Sequence, residues 1–349
     1  MTDFETGVAV GMLLAHKNGS DPAPETDADF EKFKSLTDPE ENQTVFLVCA
    51  DTEHNQIKLN AICDTSITGA ANLIVEWGDG TIETINISDD PQRTVEFSHN
   101  YSKSGDYTVI ITSDNILFCS CWRLTGDTTV YWKMAKYGEK IHVESYSRSG
   151  FQGMPCANNL QYIKIPADTD FSGGQFFAYC YALRRIIYDG ENLMSIPDRT
   201  FYYCYCLEFD DWDFSDVSSV GTYAFFNCTK LTSINLSSCT SIGDYAFQNT
   251  SLKKITLNLC ESIGKYAFYN CNKLEMVIIP ICQTIPERVF YFCEKLKEIN
   301  FPMCAEVGNY AFVNCYNLRT ATFADSCTFG TSVFNGCYSL FPKPDGTFY

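Results

Sequence analysis

The sequence predicts a mostly β protein, a small antiparallel sandwich followed by a solenoid of short turns with a parallel sheet. Three observations carry this. A Phe-x-x-Cys-x-x-Leu frame returns about every 22 residues through the C-terminal two-thirds of the chain. Ahead of it, short alternating apolar segments are separated by turn residues. With 45% hydrophobic and 15% aromatic residues, the 349-residue chain can also bury a sizeable core.

Residues 1–43 read as an acidic N-terminal tail or tether. They hold 10 acidic and 3 basic side chains, net −7, and are punctuated by Pro22, Pro24 and Pro39. One short helix is expected around Asp29–Leu36, started by Thr26 or Asp27. The apolar run Gly7–Ala15 is nine residues long, too short to span a bilayer. Asp3 and Glu5 precede it and no Lys or Arg does, which does not fit an export signal. Pairing of chains, or attachment to a larger assembly, is the alternative use of this run.

Residues 44–118 carry 11 acidic and 3 basic side chains and read as strands. Thr44–Val48 opens the region, Gln56–Ile62 alternates polar and apolar, and Leu73–Trp77 leads through Gly78-Asp79-Gly80-Thr81 into a second alternating run, Ile82–Ile87. Asp79-Gly80 is the dipeptide of a two-residue hairpin, in which both central residues take positive φ. The last strands expected are Arg93–Phe97 and Asp106–Thr112. Short strands at this spacing indicate a small antiparallel sandwich.

Residues 119–349 are the repeats, and 22 acidic against 19 basic side chains leave them near neutral. The anchor frame stands at Phe177/Cys180/Leu183, Phe201/Cys204/Leu207, Phe225/Cys228/Leu231 and Phe268/Cys271/Leu274. It returns at Phe290/Cys293/Leu296, Phe312/Cys315/Leu318 and Phe334/Cys337/Leu340. A shortened copy at Phe247 has Thr250 near the cysteine position. Successive phenylalanines are 24, 24, 22, 21, 22, 22 and 22 residues apart. Leu231-x-x-Ile234-x-Leu236-x-x-Cys239 has leucine-rich spacing, as do the units starting at Leu252, Leu274 and Leu296. Each turn is therefore expected to add one short strand to a continuous parallel sheet. A single unit cannot bury its apolar face, and its neighbours complete it. Residues 119–150 read as a cap.

The chain has 18 cysteines and most recur with the repeat. Two columns result: 180, 204, 228, 271, 293, 315 and 337, then 239, 260, 282 and 304. Metal binding needs convergent ligands, whereas a column sets them one per turn in a line. They read as buried, free thiols with S–H bonds to neighbouring turns; disulfides within a column are the alternative. Cys327 is displaced by one residue from the second column.

Catalytic signals are weak. All four histidines (16, 54, 99 and 142) precede the regular repeats, so no column cysteine has a base evident nearby. No phosphate loop or nucleophile elbow occurs. Asp79 with His99 reads as a turn aspartate and a structural histidine. Asp210/Asp211 and Asp213/Asp216 read as a solvated loop, not as paired glycosidase carboxylates. No cofactor and no metal are expected, and the protein reads as a non-enzyme. A net charge of −18 without a basic stripe excludes nucleic acid as a partner, and no segment has membrane-spanning length.

Binding has one suggestive pattern. The residue after the anchor phenylalanine is aromatic at Tyr202, Phe226, Tyr269 and Tyr291, and the residue after the column cysteine is tyrosine at Tyr181, Tyr205, Tyr316 and Tyr338. Aromatics in register across turns form a ladder suited to a protein or glycan ligand. The alternative is that these rings only pack on adjacent turns.

Two resemblances follow from these residues. Trp77-Gly78-Asp79-Gly80-Thr81, His99-Asn100-Tyr101 and Gly105-Asp106-Tyr107-Thr108-Val109 are together similar to the signature of PKD domains, immunoglobulin-like sandwiches that serve as spacers on cell-surface proteins. Ile263-Gly264-Lys265-Tyr266-Ala267-Phe268-Tyr269-Asn270-Cys271 and its counterpart at Val307–Cys315 resemble the BspA-like (Treponema-type) leucine-rich repeats. That resemblance covers about 200 residues and implies a bacterial or protozoan surface or secreted protein in adhesion. The expected function is thus non-enzymatic binding through the repeat surface, with the sandwich as spacer. The alternative is a structural component of a larger, for example prophage-encoded, assembly attached through the N-terminal segment.

Overall fold

β-Branched and aromatic residues dominate the segments that form strands in the N-terminal third. The structure is a computed structural model. It describes the chain between residues 43 and 346 except for 51–54, 64–70, 88–93, 115–118, 126–128, 135–140, 143–159, 166–168, 171–173, 189, 191–192, 209–212, 343 and 345. The tail expected at 1–43, its helix, its apolar run and the pair Asp210/Asp211 therefore lie outside the described residues, apart from Gln43.

Strands β1 (Gln43–Ala50), β2 (Gln56–Cys63), β3 (Ala71–Glu76), β4 (Ile82–Ile87), β5 (Thr94–Asn100), β6 (Gly105–Asp114), β7 (Cys119–Thr125) and β8 (Thr129–Met134) open the chain. They pair antiparallel in two sheets, one running β8-β1-β6-β3-β4 and the other β5-β2-β7. Alternation puts Val48, Leu73, Val75, Val109 and Ile111 on a buried face, with Ile57, Trp77 and Tyr101. The Tyr101 hydroxyl donates to the Trp77 carbonyl at 3.1 Å, which satisfies a polar tip inside the core.

The β3–β4 connection departs from the two-residue hairpin expected at Asp79-Gly80. Glu76 pairs with Ile82, and the five residues between them close through Trp77 N to Thr81 O at 2.9 Å. Positive φ falls on Gly78 and Gly80 and not on Asp79. The cause lies beneath the turn, because a Cβ on Gly78 would stand 2.5 Å from the Thr108 carbonyl oxygen.

Strands β9 (Ile141–His142), β10 (Leu160–Ile165), β11 (Thr169–Asp170) and β12 (Arg185–Tyr188) begin the solenoid. From there each turn passes through three stacked columns. One is the leucine-rich segment, parallel at Lys254–Thr256, Met276–Ile278, Glu298–Phe301 and Thr320–Phe323. A second is a two-residue strand. It occurs at Ser195–Ile196, Ser219–Val220, Ser241–Ile242 and Ser262–Ile263, then at Thr284–Ile285, Glu306–Val307 and Thr328–Phe329. The expected single strand in one continuous sheet is thus corrected: several turns carry two strands, residues 231–236 carry none, and the parallel strands form separate sheets. The two-residue strand is too short to show the alternation by which strands are recognised.

The Phe-x-x-Cys segment is the third column, a ladder of tight turns. Tyr223, Phe225 and Asn227 donate their N–H groups to the carbonyls of Asp244, Ala246 and Gln248 one turn on. The intervening N–H groups of Phe226 and Cys228 bond back to Tyr223 and Phe225. No backbone donor in the segment is wasted. This geometry requires left-handed residues at both ends, such as Tyr223 (φ 58) and Asn227 (φ 62), Tyr245 and Asn249, Tyr266 and Asn270. Each non-glycine residue there costs about 1–2 kcal/mol, and the ladder offsets that cost. No helix occurs among the described residues.

The core is the stack itself. Anchor rings from Phe177 to Phe334 are fully buried and follow one another at 5.0 to 5.5 Å between centroids. In the shortened turn Thr250 takes the cysteine place, donating to the Phe247 carbonyl at 2.9 Å and meeting Cys271 Sγ at 3.3 Å. Phe268→Ala removes a ring packed on both faces and should destabilise the array by about 3–5 kcal/mol in urea unfolding. Gly264→Ala would set a Cβ 2.3 Å from the Asp244 amide nitrogen; a lower thermal unfolding midpoint than the parent is expected, and an unchanged midpoint would contradict the close approach.

Candidate functional site

One flank of the solenoid collects the aromatic side chains that the core does not take. The positions expected from sequence are half-buried, save for Tyr338, which is 72% exposed. They stack in pairs: Tyr202 on Phe226 at 5.1 Å, Tyr269 on Tyr291 at 5.1 Å, Tyr181 on Tyr205 at 5.5 Å and Tyr316 on Tyr338 at 6.0 Å. The structure does not bring Phe226 and Tyr269 together, because Gln248 stands between them in the same column. Its Oε1 is buried with no hydrogen-bond partner.

A neighbouring column was missed by the sequence reading. Two residues before the anchor phenylalanines from Phe201 to Phe312 lie Arg199, Tyr223, Tyr245, Tyr266, Arg288 and Tyr310, with Gln175 and Ser332 at the two ends of the column. Tyr223, Tyr245 and Tyr266 stack at 4.7 Å with planes within 8°. The Arg199 guanidinium lies 5.4 Å from the Tyr223 ring centre, and that of Arg288 lies between the Tyr266 and Tyr310 rings at 5.5 and 4.8 Å. Arg288 also bonds the Tyr266 hydroxyl at 2.5 Å and pairs with Glu287. The two columns touch edge to face, Tyr202 with Tyr223 and Tyr223 with Phe226. The Gly-x-Tyr-Ala-Phe run carried the signal, since its tyrosine keeps the same period as the phenylalanine.

An amide ladder borders these rings. Asn249 Nδ2 donates to Asn227 Oδ1 at 2.6 Å, and Asn270 Nδ2 to Asn249 Oδ1 at 2.8 Å. The leucine-rich column carries a charged row, in which the N–H groups of Glu275, Lys297 and Arg319 donate to the carbonyls of Lys253, Glu275 and Lys297. Lys297 Nζ reaches Glu275 Oε2 at 2.5 Å, and that bond holds the Glu275 carboxyl below its ordinary range.

Rings that stack turn upon turn turn their faces along the solenoid axis. What they offer outward is ring edges and phenol hydroxyls, the electropositive rim and the polar tip. Burial pushes the Tyr202 phenol up, and Tyr203 and Tyr179 add to this; Tyr205 rises to about 12, first through burial and then through Tyr203. Both stay protonated donors at neutral pH.

The thiols are structural. The thirteen cysteines from Cys180 to Cys337 are free. In the first column Cys204, Cys228, Cys271, Cys293, Cys315 and Cys337 donate S–H to the carbonyl of an anchor phenylalanine in an earlier turn, at 3.0 to 3.2 Å. The second column differs from the expected link between turns, since Cys239, Cys260, Cys282 and Cys304 bond carbonyls two residues ahead in their own turn. Burial raises the thiols of Cys239 and Cys304 to about 11 and those of Cys260 and Cys271 to about 12.

Asp79 and His99 do pair, Oδ2 to Nε2 at 2.8 Å, with the His99 ring stacked on Trp77 at 4.8 Å. Slight burial raises the Asp79 carboxyl, and hydrogen bonds from His99 and from the Thr81 amide and hydroxyl outweigh it, leaving it below its ordinary value. Asp213 caps its own turn, accepting from the Ser215 amide and hydroxyl at 2.9 Å. Among the described residues no group of three or more His, Cys, Asp or Glu side chains is placed to hold a metal ion, and no helix is long and apolar enough to cross a membrane.

A family profile described as BspA type Leucine rich repeat region (6 copies) matches residues 141–232 and 218–341. Comparison with curated proteins finds no match. Among solved structures, a leucine-rich repeat protein from Eubacterium ventriosum is 19% identical over 51% of this chain and 59% of its own, with a TM-score of 0.39. This chain therefore spans 59% of the length of that protein. A T. pallidum leucine-rich repeat protein is 25% identical over 54% and 87% of the two chains (TM-score 0.37). A leucine rich cell surface protein from Faecalibacterium prausnitzii is 20% identical over 61% and 77% (TM-score 0.35).

A thiol whose folded pKa is raised stabilises the fold fully below its unfolded value and loses that contribution as pH rises toward the folded one. The thermal midpoint should hold to about pH 8.5 and then fall, each thiol that burial raises removing up to about 1.4 kcal/mol per pH unit. A midpoint flat to about pH 10 would contradict the burial of the columns.

Proposed function

The chain belongs to the BspA-type leucine-rich-repeat family, and from that premise we propose that it is a non-enzymatic binding protein whose aromatic flank contacts a protein or glycan partner. The observation that carries the reading is the registration of half-buried tyrosines across successive turns. These rings are held rigid by stacking, so their hydroxyls lose little freedom on binding. Large amphipathic rings with polar tips are the side chains most often found to dominate binding energy. The contact residues proposed are Tyr202, Phe226, Tyr269 and Tyr291, with Tyr181, Tyr205, Tyr316 and Tyr338 on the adjoining turn.

Surface exposure and an adhesive role accompany this proposal. The Faecalibacterium prausnitzii neighbour is described as a cell surface protein, and a PcpA chain resembling this one at 19% identity is described as a pneumococcal vaccine antigen. We further read residues 44–118 as a PKD-like sandwich, residues 1–43 as a tether and residues 119–349 as the solenoid with its cap. Two antiparallel sheets around Trp77 and Tyr101 support the first of these.

The test is binding to printed arrays of matrix proteins and of glycans by the full chain and by a Tyr202→Ala/Tyr269→Ala/Tyr291→Ala variant. A loss of about tenfold or more in affinity is expected, since removing aromatic contacts from a binding surface commonly costs over 1 kcal/mol each. Retained secondary structure by circular dichroism is the control. Equal binding by parent and variant would remove the flank from the proposal.

A further inference from the structure

The sheet of the N-terminal region does not stop where the repeats begin. Its strand order continues as β12-β10-β8-β1-β6-β3-β4, seven strands hydrogen-bonded side by side. Strand β8 belongs to both halves. On one edge it pairs antiparallel with β1, Trp132 opposite Phe46 and Tyr131 opposite Leu47. On the other it pairs parallel with β10, Tyr131 opposite Tyr162 and Trp132 opposite Ile163. Strand β10 then pairs parallel with β12, Tyr162 opposite Arg185. The second strand column behaves alike, for β9 pairs parallel with β11. Segments β8 and β9 thus stand where one more solenoid turn would stand, ahead of the first.

A solenoid end is costly if left open, because it exposes both the apolar section of the stack and a row of unpaired strand groups. Here the row is taken by β8, whose far edge is taken in turn by β1. The apolar interiors are continuous as well: Val48, Val75, Val109 and Ile111 of the N-terminal sheets belong to the same buried cluster as Ile163, Ile186 and Phe177 of the first turns. Domains joined by small polar contacts are expected to move against one another. Seven strands and one core leave no such joint.

We infer that the N-terminal sheets, joined to the repeats through β8 of the capping segment, are the fixed mount of the solenoid, so the repeat flank is held at one orientation to them and does not swing on a spacer. This goes beyond the binding role and does not rest on it. Its consequence is that the two halves unfold together at their junction.

Hydrogen exchange on the full chain tests the coupling. Trp77→Ala weakens the N-terminal core at a residue outside the solenoid. The amides of β10 and β12 should then exchange about tenfold or more faster, together with those of β3 and β6, while those of Lys254–Thr256 keep their rates. Faster exchange confined to β1–β6 would overturn the inference. Should the variant unfold throughout, spin labels carried on p-acetylphenylalanine at Thr84 and Lys273, both exposed, decide on the otherwise unsubstituted chain. One narrow distance distribution is expected, and a broad or two-peaked one would overturn the fixed mount.

Discussion

Everything in the repeats depends on one constraint: the backbone of each turn is bonded to the next at nearly the same residue offset, so every side chain has its own counterpart as neighbour. The N–H to carbonyl ladder through Tyr223, Phe225 and Asn227 sets that offset. Phenylalanine then stacks on phenylalanine, asparagine on asparagine, and thiol follows thiol. The residue types that recur are those that tolerate their own kind at about 5 Å. Glycine holds the place where the backbones come too close for a Cβ, as at Gly264.

The same constraint shapes what the flank can offer a partner. Stacking along the axis consumes ring faces and leaves edges, hydroxyls and side-chain amides outward. Rigidity comes without any added brace, because each ring is clamped by the ones before and after it. A change of residue type in the turn that carries Phe247 interrupts this locally. Gln248 falls where an aromatic would continue the column, and the surface divides into the Tyr202/Phe226 pair and the Tyr269/Tyr291 pair.

Much of this was legible in the sequence because a period is a global signal. The spacing of Phe, Cys and Leu placed the core, and the alternation in residues 44–114 placed β1 to β6 within a few residues. What escaped was local and set by contact. The Asp79-Gly80 dipeptide suggested a two-residue turn, but the Thr108 backbone packed beneath Gly78 imposed a five-residue one. The two-residue strands at Ser241–Ile242 and its relatives are below the length at which alternation can be seen. The Arg–Tyr column was hidden because its members adopt left-handed geometry, where sequence rules expect glycine or asparagine. The bonding of Cys239 and Cys260 within their own turns likewise depends on side-chain direction, which spacing does not encode.

The charged row on the leucine-rich column has a consequence for how alike the turns can be. Lys253, Glu275 and Lys297 follow one another turn by turn, and Lys297 reaches Glu275. Had the units been copies of one another, each position would face its own sign one turn away, a repulsion that solvent and salt weaken without abolishing. The row still holds one like-charged step, Lys297 beside Arg319, so the alternation around Glu275 relieves part of this repulsion and not all of it. An exact copy of one unit would extend the apolar stack unchanged and add a further like-charged step to this row.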